Sequence, residues 1–259
     1  MTPDERASAL QAIGAHFMLG WLELMPDVTV SRFGSAWAAA CPAMPEIDFL
    51  NTVHCLGPAD AGQVGAVVAH YRALGIRPWF ELRPTPGFRH LASALTAAGA
   101  AQVDFLAALE GDAGPPPARP GGGIEVRSVD RTELDRFSGV ILRGHGVPEQ
   151  DLPAAVERNR RIADVPGTRL YLALVDGEPA AAAVLFCRHL AYLANASTLP
   201  AFRGRGCQTA LIARRMADAG AAGYRRVCSL AAWSSRSHVN LERAGLAVAY
   251  TMAVWRVAR

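Results

Sequence analysis

The sequence predicts an α/β fold: two halves, each a mixed and mostly antiparallel sheet with helices on both faces. Three observations carry this expectation. Strand-like and helix-like segments alternate along the chain. The run Gly114-Pro-Pro-Pro-Ala-Arg-Pro-Gly-Gly-Gly123 interrupts that alternation; its prolines stiffen the chain, its glycines loosen it, and neither continues a helix or a central strand. An apolar, strand-like run from Leu190 to Leu199 enters a Gly-x-Gly turn that opens a segment of helical spacing. The expected division is a first domain at 1–113, a linker at 114–123 and a second domain at 124–259.

At 259 residues, with 51% hydrophobic and 19% charged residues, the chain can bury substantial cores. Its net charge of +3 is too small to argue for nucleic acid or an anionic membrane. The 26 basic residues are all arginine. The five cysteines, Cys41, Cys55, Cys187, Cys207 and Cys228, form no Cys-x-x-Cys pair and are odd in number, which points to free thiols in a reducing compartment. No His/Asp/Glu/Cys cluster has metal-ligand spacing, so no metal is expected. The acidic N-terminus lacks a signal-peptide pattern, and no apolar run has the length a bilayer requires. A cytoplasmic protein is expected.

In the first half, Thr2-Pro3-Asp4-Glu5 reads as a capped helix start, with the helix running to about Gly20. Short extended pieces at Trp21–Met25 and Val28–Phe33 surround Pro26-Asp27. Phe49–Leu56 reads as a strand. Gly57-Pro58-Ala59-Asp60 reads as a turn whose aspartate caps a helix over Ala61–Leu74. A strand over Trp79–Leu82, a helix over Phe88–Ala98 and a strand over Val103–Leu109 follow. Gly75 and Gly99 echo Gly220 and Gly245 in spacing, a weak internal repeat.

The second half opens with a strand over Ile124–Val129, a helix over Asp130–Leu142 and another over Pro153–Ile162. Leu170–Val175 and Ala180–Cys187 flank Asp176-Gly177, a hairpin signal. After the strand to Leu199 and the helix to Gly220 come a strand over Arg226–Ala232, a helix over Ser235–Ala244 and a strand over Ala247–Val257.

The chemistry concentrates in Leu199-Pro-Ala-Phe-Arg203-Gly204-Arg205-Gly206-Cys207-Gln208-Thr209. Glycines let the backbone turn tightly with no Cβ in the way. The first amides of a helix lack partners within it and carry partial positive charge. Strand, Gly-rich turn and helix N-terminus together suit a phosphate or pyrophosphate, and Arg203 and Arg205 add permanent charge. The P-loop is excluded because no Gly-Lys-Ser/Thr follows. The dinucleotide fingerprint fits poorly, because its third glycine is missing and the turn lies late in the chain.

With its flanks, Pro200 to Gly206 resembles the acyl-CoA-binding motif of the GNAT superfamily of N-acyltransferases, Arg/Gln-x-x-Gly-x-Gly/Ala. Arg203 and Gly206 match, and Gln208 replaces the last Gly/Ala. Ser234 to Leu246 is similar to the family's Asn-x-x-Ala-x-x-Phe-Tyr-Glu-Lys-x-Gly-Phe segment, with Glu242, Arg243 and Gly245 fitting. The resemblance covers about residues 124–259. It implies acetyl-CoA as co-substrate, bound between two splayed strands, and Thr198, Arg203, Gly204, Arg205, Gly206, Cys207, Gln208, Thr209 and Ser234 as its binding residues. It implies a tandem arrangement whose first half is a degenerate copy, because Pro58 stands where Arg203 would be matched and no Arg-x-x-Gly turn occurs there.

The same resemblance leaves the catalytic residues unassigned. Leu241 stands where many members have a proton-donating tyrosine, and Ser229 where some have a glutamate base. His145, in the loop after the first helix of this half, is a candidate base or a solvated loop histidine. Tyr250 could replace the tyrosine or pack in the sheet; His54 and His189 read as structural. Two functions follow as expectations: an N-acetyltransferase acting on a small-molecule amine, or a non-catalytic acyl-CoA-binding or sensing protein.

Overall fold

The computed structural model describes residues 2–115 and 123–258. Most of the expected linker, residues 116–122, lies outside them. The chain forms two compact units, one of residues 1–108 and 249–259 and one of residues 109–248. The last strand, assigned from sequence to the second half, falls mainly in the first unit.

The first unit opens with α1 (Pro3–Leu22), whose capping box is complete: Thr2 Oγ1 accepts from the Glu5 amide and Glu5 accepts from the Thr2 amide. It continues through β1 (Thr29–Phe33), β2 (Ala36–Ala40), β3 (Thr52–His54), α2 (Val64–Ala73), β4 (Trp79–Leu82), α3 (Phe88–Ala97) and most of β5 (Ala100–Asp112). The strand order is β1-β2-β3-β4, then β11 (Ala247–Val257), then β5. β3 and β4 are parallel, and β11 runs antiparallel to β4 from Ala253 opposite Leu82 to Arg256 opposite Trp79. Val64, Val67, Val68 and Tyr71 of α2 and Leu91 and Leu95 of α3 pack with Val53, Phe80 and Leu82 of the sheet. Several local expectations shift. Trp21 and Leu22 end α1 rather than starting a strand, and the expected Phe49–Leu56 strand shortens to β3 behind a 3-10 turn at Asp48–Leu50.

The second unit contains β6 (Ile124–Ser128), α4 (Leu134–Gly144), α5 (Leu152–Arg160), β7 (Thr168–Val175), β8 (Glu178–Cys187), β9 (Ala191–Thr198), α6 (Cys207–Ala221), β10 (Arg226–Ala232) and α7 (Arg236–Arg243). From the end of β5 its strand order is β5-β10-β9-β8-β7-β6. The β7–β8 hairpin turns on Asp176 and Gly177, both at positive φ (52° and 81°), as a two-residue turn matched to strand twist requires. Ala180 to Phe186 of β8 are buried without alternation, the mark of a strand covered on both faces. α6 runs one residue past Gly220, and Gly223 adopts the left-handed conformation beyond it. The echo of Gly75 and Gly99 is therefore inexact.

Candidate active site

β9 and β10 are parallel but pair at only two positions, Ala191 with Val227 and Tyr192 with Cys228. One residue further, Ser229 Oγ donates to the Leu193 carbonyl at 2.8 Å. Beyond that point β9 continues to Thr198 and β10 to Ala232 with no further register between them, so a gap opens. On its other side β9 carries a bulge: Val184 of β8 faces Ala194, Ala183 faces Ala196, and Asn195 is left over at φ 31°. A bulge re-aims the residues that follow it, here Ala196 to Thr198.

The turn after β9 is a 3-10 turn at Pro200–Phe202 followed by Arg203 to Gly206. Gly204 and Gly206 sit at φ 81° and 91°, and Gly206 is the N-cap of α6. The Ala210 amide makes the bond to Gly206 O at 3.0 Å. The amides of Cys207, Gln208 and Thr209 therefore have no partner inside the helix. These residues, with Thr198, Arg203, Gly204 and Gly206, line a cavity of about 370 Å³. Arg236, Asn240 and Arg243 of α7 line it too, as do Gly144 and His145 at the end of α4. Its charged lining residues are all arginines, Arg203, Arg236 and Arg243, with no Asp or Glu among them. The cradle suits a phosphorylated group: an added Cβ at Gly204 would meet open space, and at Gly206 only Ile124 Cδ1 at 3.6 Å.

The residues expected from sequence divide. Arg203 donates from Nε to Thr198 O at 3.3 Å and from Nη2 to Gly144 O at 3.1 Å, tying the turn to both β9 and α4. Arg205 does not line the cavity; its guanidinium carbon lies 5.4 Å from the Phe202 ring centroid. Cys207 is buried, desolvation pushes its thiol pKa up, and its Sγ lies 3.9 Å from the Phe202 carbonyl oxygen of the preceding turn. The Gln208 side chain donates to Ser237 Oγ at 3.0 Å and accepts from Asn240 Nδ2 at 2.7 Å, bridging α6 to α7. Ser234 lies outside the cavity lining at φ 58°, with its amide donating to His238 Nδ1 at 3.1 Å. Sequence reading passed over Gly144, Ser197, Arg236 and Asn240 as site residues. Arg236, Asn240 and Arg243 are spaced i, i+4, i+7, one helical face, a signal present in the sequence.

Among candidate catalytic groups, Leu241 is buried and outside the lining, and the hydroxyl of buried Ser229 is committed to Leu193. His145 follows α4 with Nε2 3.3 Å from Asn195 Oδ1. Desolvation of the ring pulls its pKa below the ordinary histidine value, opposed by the Asn195 contact. Ser197 Oγ donates to the Val140 and Ile141 carbonyls at 3.2 and 3.0 Å, seating the end of α4 on β9. Tyr250 lies in the first unit and donates to Ala7 O at 3.2 Å. His54 is also in the first unit, 3.7 Å from Glu81; burial lowers its pKa to about 4 and raises that of Glu81 to about 7. No group of His, Cys, Asp and Glu suited to a metal ion occurs among the described residues, and no helix among them is long and apolar enough to cross a membrane.

A splayed parallel strand pair, a bulged strand and a glycine turn at a helix N-terminus define an α/β protein with a candidate ligand site at the carboxyl ends of two strands. Residues 127–233 match the family model described as acetyltransferase (GNAT) domain. That segment is thus similar to a GNAT domain, and the chain as a whole shares the tandem GNAT fold of solved structures. A GCN5-related N-acetyltransferase from Kribbella flavida superposes with a TM-score of 0.66 at 14% identity, covering 96% of this chain and 95% of that one. A tandem GNAT protein from the clavulanic acid biosynthesis pathway gives the same TM-score and identity over 100% and 96%. A GCN5-related N-acetyltransferase from Sphaerobacter thermophilus gives 0.59 at 14% identity over 88% and 75%. No curated protein sequence matches the chain.

Proposed function

We propose that the protein transfers an acetyl group from acetyl-CoA to the amine of a small molecule, with the second half carrying the co-substrate. The observation that carries this reading is the turn itself. Two glycines at positive φ and the amides of Cys207, Gln208 and Thr209 face a cavity whose charged residues are all arginine. Such a site holds a pyrophosphate through backbone donors, the helix dipole and cationic side chains.

The residues then divide the work. Arg203 fixes the turn against β9 and α4, and the α7 arginines supply charge for phosphates. The bulge aims the backbone of Ala196 to Thr198 into the cavity, where an amide can stabilise charge developing on a thioester oxygen. His145, in contact with Asn195 and with its pKa lowered by desolvation, would take the proton from the acceptor's ammonium form, directly or through one water, and the neutral amine so formed would attack the thioester carbon. Much of the rate is assigned to orientation of amine and thioester.

A non-catalytic acyl-CoA-binding role is favoured by one observation: Leu241 and Ser229 offer no acid or base to the cavity. Calorimetric titration with acetyl-CoA, followed by thiol release across a broad panel of amines, separates the readings. Binding with amine-dependent thiol release supports the enzyme. Binding with no release above the no-amine rate supports the sensor, and no binding refutes both.

A further inference from the structure

Arg215 of α6 is only 2% exposed, among the largest fully buried side chains of the protein. It makes no ion pair with a carboxylate among the described residues. Its guanidinium donates to backbone carbonyls instead: Nε to Leu211 O at 3.0 Å within its own helix, Nη1 to Val184 O at 2.9 Å and to Ala194 O at 3.1 Å. Desolvation lowers its pKa to about 10, so it remains charged at neutral pH. A buried, unpaired cation is a costly way to fill a core, where Met or Leu would pack without desolvation.

Its two β-sheet partners are a matched pair. Val184 and Ala194 face each other across β8 and β9, and they are the last pair before the unmatched Asn195. One guanidinium nitrogen therefore satisfies both carbonyls at the point where the ladder breaks. The Ala194 carbonyl belongs to the same peptide unit as the Asn195 N–H, so a cation on that oxygen polarises the bulge peptide. Everything the site needs from β9 lies just beyond. Asn195 Oδ1 reaches His145, Ser197 seats α4, and Ala196 to Thr198 line the cavity.

We propose that Arg215 is a positioning residue for acyl transfer: it holds the β9 bulge through the Val184 and Ala194 carbonyls and so sets where the strand presents its amides and Asn195. This rests on the acetyltransferase reading above. A residue that only fills the core would tolerate an apolar side chain of similar length. A residue that holds the bulge would not, even with the fold intact.

The test uses the full-length chain and three variants: Arg215→Met, Arg215→Lys, which keeps the charge and one reach, and Arg214→Met. Arg214 is the control. It is next in sequence, pairs with Asp218 and donates to Val126 O, away from the bulge. Steady-state acetylation of an accepted amine is measured beside hydrogen exchange of residues 194–198. For Arg215→Met the expected results are a kcat fall of about tenfold or more with the KM for acetyl-CoA changed less than about threefold, and exchange of 194–198 faster by about tenfold or more. Arg215→Lys should recover part of both, and Arg214→Met should change neither.

Wild-type kcat in Arg215→Met, unchanged exchange at 194–198, or a lysine variant no better than methionine overturns the proposal. Should Arg215→Met fail to fold, Arg215→Lys against wild type decides it, with the same kcat loss and exchange gain expected in smaller measure and their absence refuting it. Absence of turnover by the wild type with any amine would overturn the acetyltransferase reading, while the exchange measurement still decides whether Arg215 holds the bulge.

Discussion

Replacing Gly206 by alanine separates the backbone role of the turn from its packing. Gly206 has φ 91°, and the Cβ of an alanine would meet only Ile124 Cδ1, at an ordinary 3.6 Å. The cost is therefore torsional, about 1–3 kcal/mol for a non-glycine residue in that region. The chain can relieve it by rotating Gly206 toward negative φ, which swings the Cys207, Gln208 and Thr209 amides away from the cavity. A hydrogen bond to a charged group is worth about 1.5–3 kcal/mol, so loss of one such amide weakens acetyl-CoA binding roughly tenfold to hundredfold. Gly177→Ala is the matched control. It has φ 81° and open space around an added Cβ, so its torsional cost is similar, but it lies in the β7–β8 hairpin away from the cavity. Both variants should lower Tm by about 2–4 °C per kcal/mol, and calorimetry should show weakened binding in Gly206→Ala alone. Equal acetyl-CoA affinity in the two variants, with matching Tm losses, would refute the assignment of the anion to the turn.

Three further predictions follow from the same geometry. His145 must be neutral to accept a proton, and desolvation lowers its pKa, so kcat/KM should rise with pH along a limb lying below the ordinary histidine value of about 6.5; a limb at higher pH, or one that survives His145→Ala, removes His145 from the role. A Cβ on Gly144 would crowd Ser197 Cβ at 2.6 Å and the Thr198 amide at 3.2 Å. Gly144→Ala should therefore cost about 1–3 kcal/mol by overpacking, and the double variant with Ser197→Gly should recover part of it in a denaturant series; strict additivity would show that the two positions do not press on each other. Titration of the intact chain with acetyl-CoA should give one site, and a stoichiometry of two would mean that the first half binds as well.

Local elements were legible where local physics decides them. The capping box at Thr2 and Glu5, the Asp176-Gly177 hairpin and the strand at Trp79–Leu82 all follow from a few adjacent residues. β2, by contrast, is Ala-Trp-Ala-Ala-Ala; alanine has little strand preference, and only pairing with β1 and β3 makes it a strand. The place of the last strand was not legible for a similar reason, because its pairing with β4 spans most of the chain. In the site, the glycine turn was readable because its chemistry is contiguous. The bulge was not, since nothing in Ala194-Asn195-Ala196 marks one residue as unmatched. That bulge brings Asn195 to His145, so the partner of the candidate base was hidden along with it.

The two halves differ most instructively where the first would need a turn of the same kind. After β3 the chain runs Gly57-Pro58-Ala59-Asp60 into a 3-10 turn at Pro58–Gln63 that leads into α2. No glycine at positive φ lies between β3 and α2. The donors that gather there are already engaged: the Asp60 carboxylate accepts from the Ser35 amide at 2.9 Å, the Ser35 hydroxyl at 2.5 Å and the Gly57 amide at 3.1 Å. Burial works to raise the Asp60 pKa, but these bonds outweigh it and hold the group below the usual carboxylate range. Gly34 is left bare beside it, since a Cβ there would collide with the same carboxylate. The first half thus supplies an internal carboxylate at this point, whereas in the second the amides of Cys207, Gln208 and Thr209, the proposed anion seat, have no partner inside their helix. A fixed carboxylate satisfies those donors at no cost of association, which removes the electrostatic reason for a phosphate there. On this reasoning the Asp60 bonds serve the stability of the first half.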